Sequence, residues 1–356
     1  MDRARLVTLF RHWGDVEATA NLSPLYAVFG HAVADDDELL DLANEALPGQ
    51  PPPNVLFAAV HAVLAQSGDE PLREYYASLG GSREADARAA EMLHDFCGRR
   101  REELLPIIRT RLTQTNEVRR SAVLLPAFAS VAAESGDLPL SLIEIGPSAG
   151  LNLLFDKYQY DYGDARAGAT ASNVVLDCEL RGAQPPLTIP AIAARCGIDI
   201  NPLDIENEAD VEWLRALLWP EHVDRLALLN AAIAVARSNP PELFRGDVLD
   251  LLPQQVSEAP RGSVVCILAT FVLNQLPESV LTDLRTMLLE LSTSREIFMV
   301  VMGFSEFVVP GTPRVGDTMV WMLRCRSGRG TYRLLAYANP HGRWLDWQSN
   351  SEWKDW

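Results

Sequence analysis

The chain has 356 residues, a length that predicts two domains or one large domain. Of these residues 48% are hydrophobic and 22% charged, which is typical of a globular protein. The formal net charge of −17 argues against nucleic acid as a partner, because phosphate backbones bind clusters of Lys and Arg. The sequence has no long apolar run and no signal-peptide pattern, which predicts a cytoplasmic protein with no membrane partner. It also has no Cys-x-x-Cys pair and no histidines at metal-ligand spacing, so we predict no metal site.

Residues 1–137 carry the pattern of an all-α domain with about six helices. The segment from Asp35 to Leu47 has an acidic first turn, which favours a helix N-terminus, and Gln50-Pro-Pro-Pro-Asn54 ends it. The strongly apolar run 55–66 is predicted to be a buried helix. No stretch in this region alternates with a period of two, so we predict no strand here.

Short β-rich runs alternate with helical segments from residue 138 onward. The predicted strands are rich in β-branched and apolar residues and cover 141–145, 198–200, 242–246, 263–270 and 296–302, followed by a hairpin of Asp317–Cys325 and 331–338. An insertion with a hairpin of its own is expected near residues 158–190. This alternation predicts a parallel sheet with helices on both faces, to which the last hairpin adds antiparallel strands.

A Gly-rich turn joins the first predicted strand to a predicted helix at residues 149–157, within the sequence LIEIGPSAGLNL of residues 142–153. Such a turn directs backbone N–H groups toward open space, where they can bind a ligand. Gly146-Pro-Ser-Ala-Gly150 also fits the G-x-S-x-G pattern that presents a nucleophilic serine. The stretch therefore predicts a cofactor site or a nucleophile, and the plain alternative is a strand–helix turn without a ligand.

In the cofactor hypothesis, the turn and the end of the first strand supply the central residues. Gly146 makes the tight turn, and Gly150 lets the helix approach the strand closely. Glu144 ends the strand and faces the carboxyl edge of the sheet, where parallel sheets bind ligands. This edge of the sheet is therefore the predicted ligand site.

Acidic residues also lie at the ends of the next two predicted strands. Asp199, with Asp204 as the alternative, is placed to hydrogen-bond ribose hydroxyls, although an insertion lengthens the usual spacing. Asp247 follows the third strand and is placed to reach the base of a nucleoside. Acids at these positions suit a ribose and an amino group and repel a pyrophosphate.

The arrangement resembles the Rossmann-like S-adenosylmethionine-dependent methyltransferases, in which an E/D-x-G-x-x-x-G turn follows the first strand of a seven-stranded sheet. The resemblance covers residues 138–340 and implies S-adenosylmethionine as cofactor, with methyl transfer to a small molecule. The cofactor-binding positions that it implies are Glu144, Gly146, Gly150, Asp199 and Asp247. Ser148 stands where the commonest pattern has Gly, and we expect its backbone or hydroxyl to contact the cofactor.

Two further groups of residues are candidates for substrate binding. Phe271 and Asn274 follow the fourth strand, where methyltransferases acting on bases or amides often carry an Asn/Asp-Pro-Pro-aromatic motif that this chain lacks. A polar group of residues lies just before the sheet begins and is a candidate for substrate binding: Asn116, Glu117 and Arg120. Alternatively, Thr115 or Asn116 caps a helix, with Glu117 in its first turn.

A serine hydrolase is the second enzymatic hypothesis. Ser148 would be the nucleophile, and Asp247 or Asp317 followed by His341 would preserve the Ser–Asp–His order of α/β-hydrolases. Against it, about 137 helical residues precede the turn, and no oxyanion loop rich in His and Gly is present. A third hypothesis is a non-catalytic protein that keeps the site for another ligand.

Five segments of the chain are distinctive, namely SPLY (23–26), QPPPNVLFAAVH (50–61), TQTNEVRR (113–120), IGPSAGLNL (145–153) and WLRALLWP (213–220). Through these segments the whole chain also resembles an uncharacterised bacterial family, a domain of unknown function. This resemblance implies no chemistry. Four tryptophans near the end of the chain, Trp344, Trp347, Trp353 and Trp356, predict a tail that folds back on the core or makes a homodimer contact.

Together these observations predict an all-α cap domain (1–137) before an α/β domain (138–356). The second domain is predicted to contain a Rossmann-like, seven-stranded sheet of the methyltransferase type. The predicted function is S-adenosylmethionine-dependent methyl transfer to an unidentified small molecule.

Overall fold

The computed structural model describes residues 1–303, 305–310 and 318–356. The α-helices in this part of the chain are α1 (Arg3–His12), α2 (Pro24–Ala34), α3 (Asp37–Ala43), α4 (Pro52–Gln66), α5 (Ala87–Arg99), α6 (Arg101–Thr110), α7 (Arg120–Glu134), α8 (Glu208–Ala216), α9 (Val223–Ser238), α10 (Val248–Glu258) and α11 (Glu278–Leu291). No helix among these residues is long and apolar enough to cross a membrane.

The strands in the same part of the chain all follow α7. They are β1 (Leu140–Ile145), β2 (Gln159–Asp161), β3 (Arg166–Gly168), β4 (Val175–Asp177), β5 (Glu179–Gly182), β6 (Ile192–Asp199), β7 (Glu242–Arg245), β8 (Val264–Thr270), β9 (Ile297–Met302), β10 (Thr318–Arg326), β11 (Arg329–Ala338), β12 (Trp344–Trp347) and β13 (Lys354–Asp355). Asp317, predicted to begin the last hairpin, lies outside the described residues.

The chain forms two compact units. The first consists of Met1–Thr115 and Glu206–Leu229, and the second of Asn116–Ile205 and Asn230–Trp356. The chain thus leaves the second unit to complete the first and then returns. A domain boundary at residue 137 stays a prediction.

The first unit is helical and has an aromatic core. Trp13, Tyr26, Phe57 and Trp219 pack with ring centroids 5.0 to 5.8 Å apart. Trp13 begins a π-helix, Trp13–Ala18, that crosses α2 closely. A Cβ atom on Gly30 would lie 2.9 Å from the Cα of Gly14, so this crossing requires glycine.

The segment 206–229 completes this core with both polar and aromatic contacts. Glu221 stabilises the start of α2, because its carboxylate accepts hydrogen bonds from Ser23 Oγ (2.6 Å) and from the backbone N–H of Leu25 (3.1 Å). The ring of Trp219 packs against Trp13 and Tyr26. Residues far apart in the chain therefore share one core.

His61, in the buried helix α4, is held as a neutral ring. Its Nδ1 lies 3.1 Å from the carbonyl oxygen of Ala216 and 3.2 Å from that of Leu218, and Nε2 lies 2.9 Å from Ser78 Oγ. Carbonyl oxygens only accept, so Nδ1 carries the proton and Nε2 accepts from the Ser78 hydroxyl. Burial lowers the pKa of His61 from 6.5 to about 4, although its backbone hydrogen bonds act to raise it.

The second unit is built on a ten-stranded mixed sheet whose main path is β5-β12-β11-β10-β9-β8-β1-β6-β7, with β13 paired to β11. The strands from β7 to β9 along this path are parallel, and β10, β11 and β12 then pair antiparallel. The predicted α/β class is therefore confirmed. The expectation of seven strands is wrong, because short segments of the insertion and the tail (β5, β12 and β13) extend the sheet beyond β11.

The two faces of the sheet carry different helices. Ile143 and Ile145 of β1 belong to the apolar core formed with α10 and α11. Side chains alternate along a strand, so Glu144 points to the opposite face. On that face α7 packs along β8, β9 and β10.

The insertion after β1 forms a separate three-stranded sheet of order β3-β2-β4. Its three buried tyrosines fix it to neighbouring backbone, since the hydroxyl groups of Tyr158, Tyr160 and Tyr162 donate to the carbonyls of Leu151, Phe155 and Ala122. The tail folds back onto the large sheet, where Trp356 contacts Phe307 at 5.7 Å between ring centroids. A homodimer contact stays a prediction.

Candidate functional site

The candidate site lies where the order of the parallel strands reverses. From β1 the chain adds β6 and then β7 on one side, and it later adds β8 and β9 on the other. In open α/β sheets, ligands bind in the crevice outside the carboxyl ends of the two strands at such a switch point. The crevice at the ends of β1 and β8 is therefore the candidate ligand site.

Glu144 lies at the end of β1 beside this crevice. Its side chain is 1% exposed, and its Oε2 has no hydrogen-bond partner among the described residues. The pKa of Glu144 is raised from 4.5 to about 8, first by burial and then by the negative charge of Asp199, while Arg120 acts to lower it. At neutral pH this side chain is a carboxylic acid that can donate a hydrogen bond.

The turn after β1 is closed by the protein itself. The backbone N–H of Gly146 donates to the carbonyl oxygen of Ile198, and that of Gly150 donates to the carbonyl oxygen of Pro147. The N–H of Ser148 donates to Asp199 Oδ2, and the N–H of Leu151 donates to Asn116 Oδ1. The expectation that they face open space is therefore wrong. The helix that follows the turn is a 3₁₀ helix, Leu151–Lys157.

The glycines of the turn are explained by packing and backbone conformation. Gly146 and Gly150 have φ angles of 66° and 72°, in the left-handed region that favours glycine. A Cβ on Gly146 would lie 2.5 Å from the side chain of Val272, and one on Gly150 would lie 2.8 Å from that of Pro241. Ser148 is buried and also has a positive φ, of 55°.

Asp199 ends β6, directly beside the turn. Its Oδ2 accepts the N–H of Ser148 at 3.0 Å, and its Oδ1 accepts the N–H of Asn201 at 2.8 Å. The carboxylate therefore joins the end of β6 to the turn after β1. Each carboxylate oxygen can accept a second hydrogen bond, so this contact leaves the proposed ribose role as a prediction.

Asp247 and Asn274 lie on exposed elements. Asp247 is the N-cap of α10, and its carboxylate accepts the N–H of Leu249 at 2.8 Å. Asn274 is exposed in a one-turn 3₁₀ helix, Leu273–Gln275. Within the described part of the chain, neither side chain forms a hydrogen bond or ion pair with Glu144, and their assigned roles stay predictions.

Arg120 and Phe271 meet at the crevice. The guanidinium carbon of Arg120 lies 4.3 Å from the ring centroid of Phe271, and its Nε donates to the carbonyl of Pro340 at 2.9 Å. Phe271 follows β8 with a φ of 54°. A Cβ atom on Gly303 would lie 2.8 Å from the ring of Phe271. The structure thus brings Arg120, Phe271 and Glu144 together at one edge of the sheet.

The polar segment before α7 is divided among different contacts. Asn116 does not cap α7, because its Oδ1 accepts the N–H of Leu151 at 3.0 Å and so fixes the 3₁₀ helix. Glu117 lies in the turn before α7, and its Oε2 is 3.4 Å from Nδ1 of His341. Arg119, the N-cap of α7, makes an ion pair of 2.9 Å with Asp177.

The partners named for a nucleophilic Ser148 have other contacts. His341 contacts Glu117, and Asp247 caps α10. Asp317 lies outside the described residues. The proximity of Glu117 and His341 could not be predicted, because the two residues are 224 positions apart; a histidine in an Asn-Pro-His-Gly turn carries no signal of a carboxylate partner.

The fold and the crevice together define an α/β protein with a mixed sheet and a candidate ligand site at a strand switch point. The chain belongs to the family described as "Uncharacterized protein conserved in bacteria (DUF2332)", whose model matches residues 7–347. The predicted membership in an uncharacterised bacterial family is thereby confirmed. Neither the curated proteins nor the solved structures contain a match to this chain.

Proposed function

We propose that this protein is a Rossmann-like methyltransferase that binds S-adenosylmethionine in the crevice between β1 and β8 and methylates a small molecule. The order of the parallel strands supports it, because β7-β6-β1-β8-β9 corresponds to the order 3-2-1-4-5 of doubly wound nucleotide-binding sheets. The position of an acid, Glu144, before the turn agrees with the methyltransferase pattern.

One observation carries the proposal: a buried carboxyl group with an unpartnered oxygen at the switch point. Burying a polar atom without a hydrogen-bond partner costs stability, so such an atom in a native fold calls for an explanation. A ligand that fills the crevice and bonds to Glu144 Oε2 supplies one. The residues at this position therefore fit a polar cofactor.

In this proposal, the cofactor supplies an electrophilic methyl group. The protein contributes binding, orientation and exclusion of water, which are the main requirements of such a transfer. Glu144 binds a polar group of the cofactor, and Asp199 keeps the turn in place. Arg120 and Phe271 form the side of the crevice toward the substrate.

Isothermal titration calorimetry with S-adenosylmethionine and S-adenosylhomocysteine tests this proposal. We expect both to bind, and we expect Glu144→Leu, which removes both carboxyl oxygens, to weaken binding about tenfold through loss of one hydrogen bond. Glu242→Leu, which changes an exposed acid of β7 in the same way, is the matched control and should bind as the wild type does. If neither compound binds near millimolar concentration, the cofactor assignment is contradicted.

The same titration tests the role of Asp247. Asparagine caps helices as well as aspartate does, so Asp247→Asn keeps α10 intact while it removes the charge. If Asp247 contacts the nucleoside, affinity falls several-fold. Unchanged affinity would remove Asp247 from the site and leave the rest of the proposal standing.

A further inference from the structure

The loop between β11 and β12 holds His341 in a fixed position. Asn339 Oδ1 accepts the backbone N–H groups of His341 (2.9 Å) and Arg343 (3.4 Å). Gly342 has a φ of 78°, and a Cβ there would lie 2.3 Å from the carbonyl oxygen of Arg119. The loop is therefore packed tightly against the turn that contains Glu117.

Glu117 and His341 face each other across this contact. Nδ1 of His341 is buried, has no hydrogen-bond partner by geometry among the described residues, and lies 3.4 Å from Oε2 of Glu117. The Glu117 side chain is 4% exposed, whereas that of His341 is 33% exposed. A carboxylate beside Nδ1 favours the proton on that nitrogen, which leaves a lone pair on Nε2.

His341 also lies at the same edge of the sheet as the crevice. Both β9 and β11 pair antiparallel with β10, so their carboxyl ends lie at one edge. The residue before His341, Pro340, accepts the hydrogen bond of Arg120, and Arg120 packs over Phe271 at the end of β8. This chain of contacts connects the imidazole to the substrate side of the crevice.

We propose that His341, oriented by Glu117, removes the proton from an O–H or N–H group of the substrate, an inference that rests on the proposed methyl transfer. The proton passes to Nε2, and the substrate oxygen or nitrogen keeps the electron pair with which it bonds to the methyl carbon. The pair of the broken C–S bond stays on the sulfur, which becomes a neutral thioether, and His341 returns the proton to water.

This assignment specifies the class of substrate. An alcohol, a phenol or a protonated amine is a poor nucleophile until it loses a proton, and a positioned base contributes about 100- to 10,000-fold to such a step. A substrate that reacts through an already ionised group does not need the base. His341 is thus the catalytic residue, and Glu117 is a positioning residue.

The first experiment tests whether His341 lies at the ligand crevice, and it needs no measurement of enzymatic activity. Diethyl pyrocarbonate acylates accessible imidazoles, and peptide mass spectrometry gives the rate at each histidine. S-adenosylhomocysteine at about ten times its Kd should slow the modification of His341 about tenfold, because ligand and reagent compete for the same crevice. The exposed His12 of the first unit is the internal control and should react at an unchanged rate.

The second experiment measures transfer of a labelled methyl group to a panel of phenols, alcohols and primary amines. His341→Gln should lose about 100-fold or more toward un-ionised phenols and less than about tenfold toward 4-nitrophenol at pH 8, where this phenol is mostly ionised. Glu117→Gln should lose about tenfold while S-adenosylhomocysteine affinity stays unchanged. His12→Gln is the matched control.

The outcomes separate the two proposals. If neither S-adenosylmethionine nor S-adenosylhomocysteine binds, the methyltransferase function itself fails. If S-adenosylhomocysteine binds but leaves His341 unprotected, or if His341→Gln methylates un-ionised phenols as fast as the wild type does, only the role of His341 is overturned. Equal losses toward 4-nitrophenol and un-ionised phenols in His341→Gln would reveal a structural role and overturn it as well.

Discussion

Glu144 combines features that single side chains seldom share. It is buried, one of its oxygens is unpartnered within the described part of the chain, and its pKa is raised to about 8. A carboxyl group whose pKa is higher in the folded than in the unfolded protein stabilises the fold fully at low pH. This contribution is lost as the pH rises through the folded value.

A pH series of Glu144→Gln tests this behaviour. Glutamine resembles the protonated acid, so the variant and the wild type should have similar free energies of unfolding at pH 5. Between pH 5 and pH 9 the wild type should lose on the order of 4 kcal/mol relative to the variant, at about 1.4 kcal/mol for each pKa unit. Urea unfolding at several pH values measures the difference. A gap that stays constant over this range would contradict a buried proton on Glu144.

At the scale of elements, the turn after β1 is held by neighbouring strands and loops and not by a long helix. Asp199 of β6 binds one N–H of the turn, and Asn116 binds the N–H that begins the 3₁₀ helix. Arg195 of β6 holds that helix through Leu153 O at 2.8 Å and Asp156 at 2.6 Å. The shape of the crevice therefore depends on β6 as much as on β1.

The substitution Asp199→Asn should show this dependence. An amide nitrogen cannot accept a hydrogen bond, so one of the two backbone N–H contacts of Asp199 is lost in a buried place. We expect a loss of about 1–3 kcal/mol in the free energy of unfolding at pH 6, measured with urea. Glu242→Gln on the exposed part of β7 should change it by less than about 0.5 kcal/mol. Equal effects of the two substitutions would show that Asp199 does not hold the turn.

At the scale of the whole molecule, the sequence predicted the class of each part better than its connections. Apolar periodicity and β-branched runs located the central strands β1, β8 and β9 within about one residue at each end. The strands β12 and β13 were not predicted, because they are short and pair with distant segments. Helical segments were expected between the strands, but no local pattern shows that residues 206–229 belong to the core of the first unit.

The candidate site shows the same division. The acids at the ends of β1 and β6 could be predicted from strand–turn–helix patterns. The closure of the turn by Asn116 and the contact between Glu117 and His341 depend on tertiary packing, to which sequence spacing gives no access. Positive φ angles and close neighbouring side chains account for Gly146 and Gly150, and their cofactor role stays a prediction.

Buried titratable groups give the two units opposite responses to pH. In the first unit, the lowered pKa of His61 gives stability that is present above pH 6.5 and is lost as the pH falls through about 4. In the second unit, Glu144 loses its contribution on the alkaline side. Acid should therefore weaken the helical unit through His61, and alkali should weaken the sheet unit through Glu144.

The variant His61→Asn tests the acid response. It keeps an N–H donor near the position of Nδ1 but loses the contact with Ser78, which should cost about 1–3 kcal/mol at pH 7. The difference from the wild type should shrink between pH 6.5 and pH 4, because the wild type loses the advantage of its neutral ring. Unfolding followed by tryptophan fluorescence measures it, with His12→Asn as the exposed control. A difference that grows with acidity would contradict the assignment.

The division of the helical unit has a consequence for the order of events during synthesis. A ribosome makes residues 1–115 first, yet Trp219 and Glu221, which complete their aromatic core and the start of α2, follow β1 to β6. Part of the core of the early helices therefore stays exposed to solvent while much of the sheet is synthesised. The helical unit, first to begin, is finished only after residue 229 has left the exit tunnel.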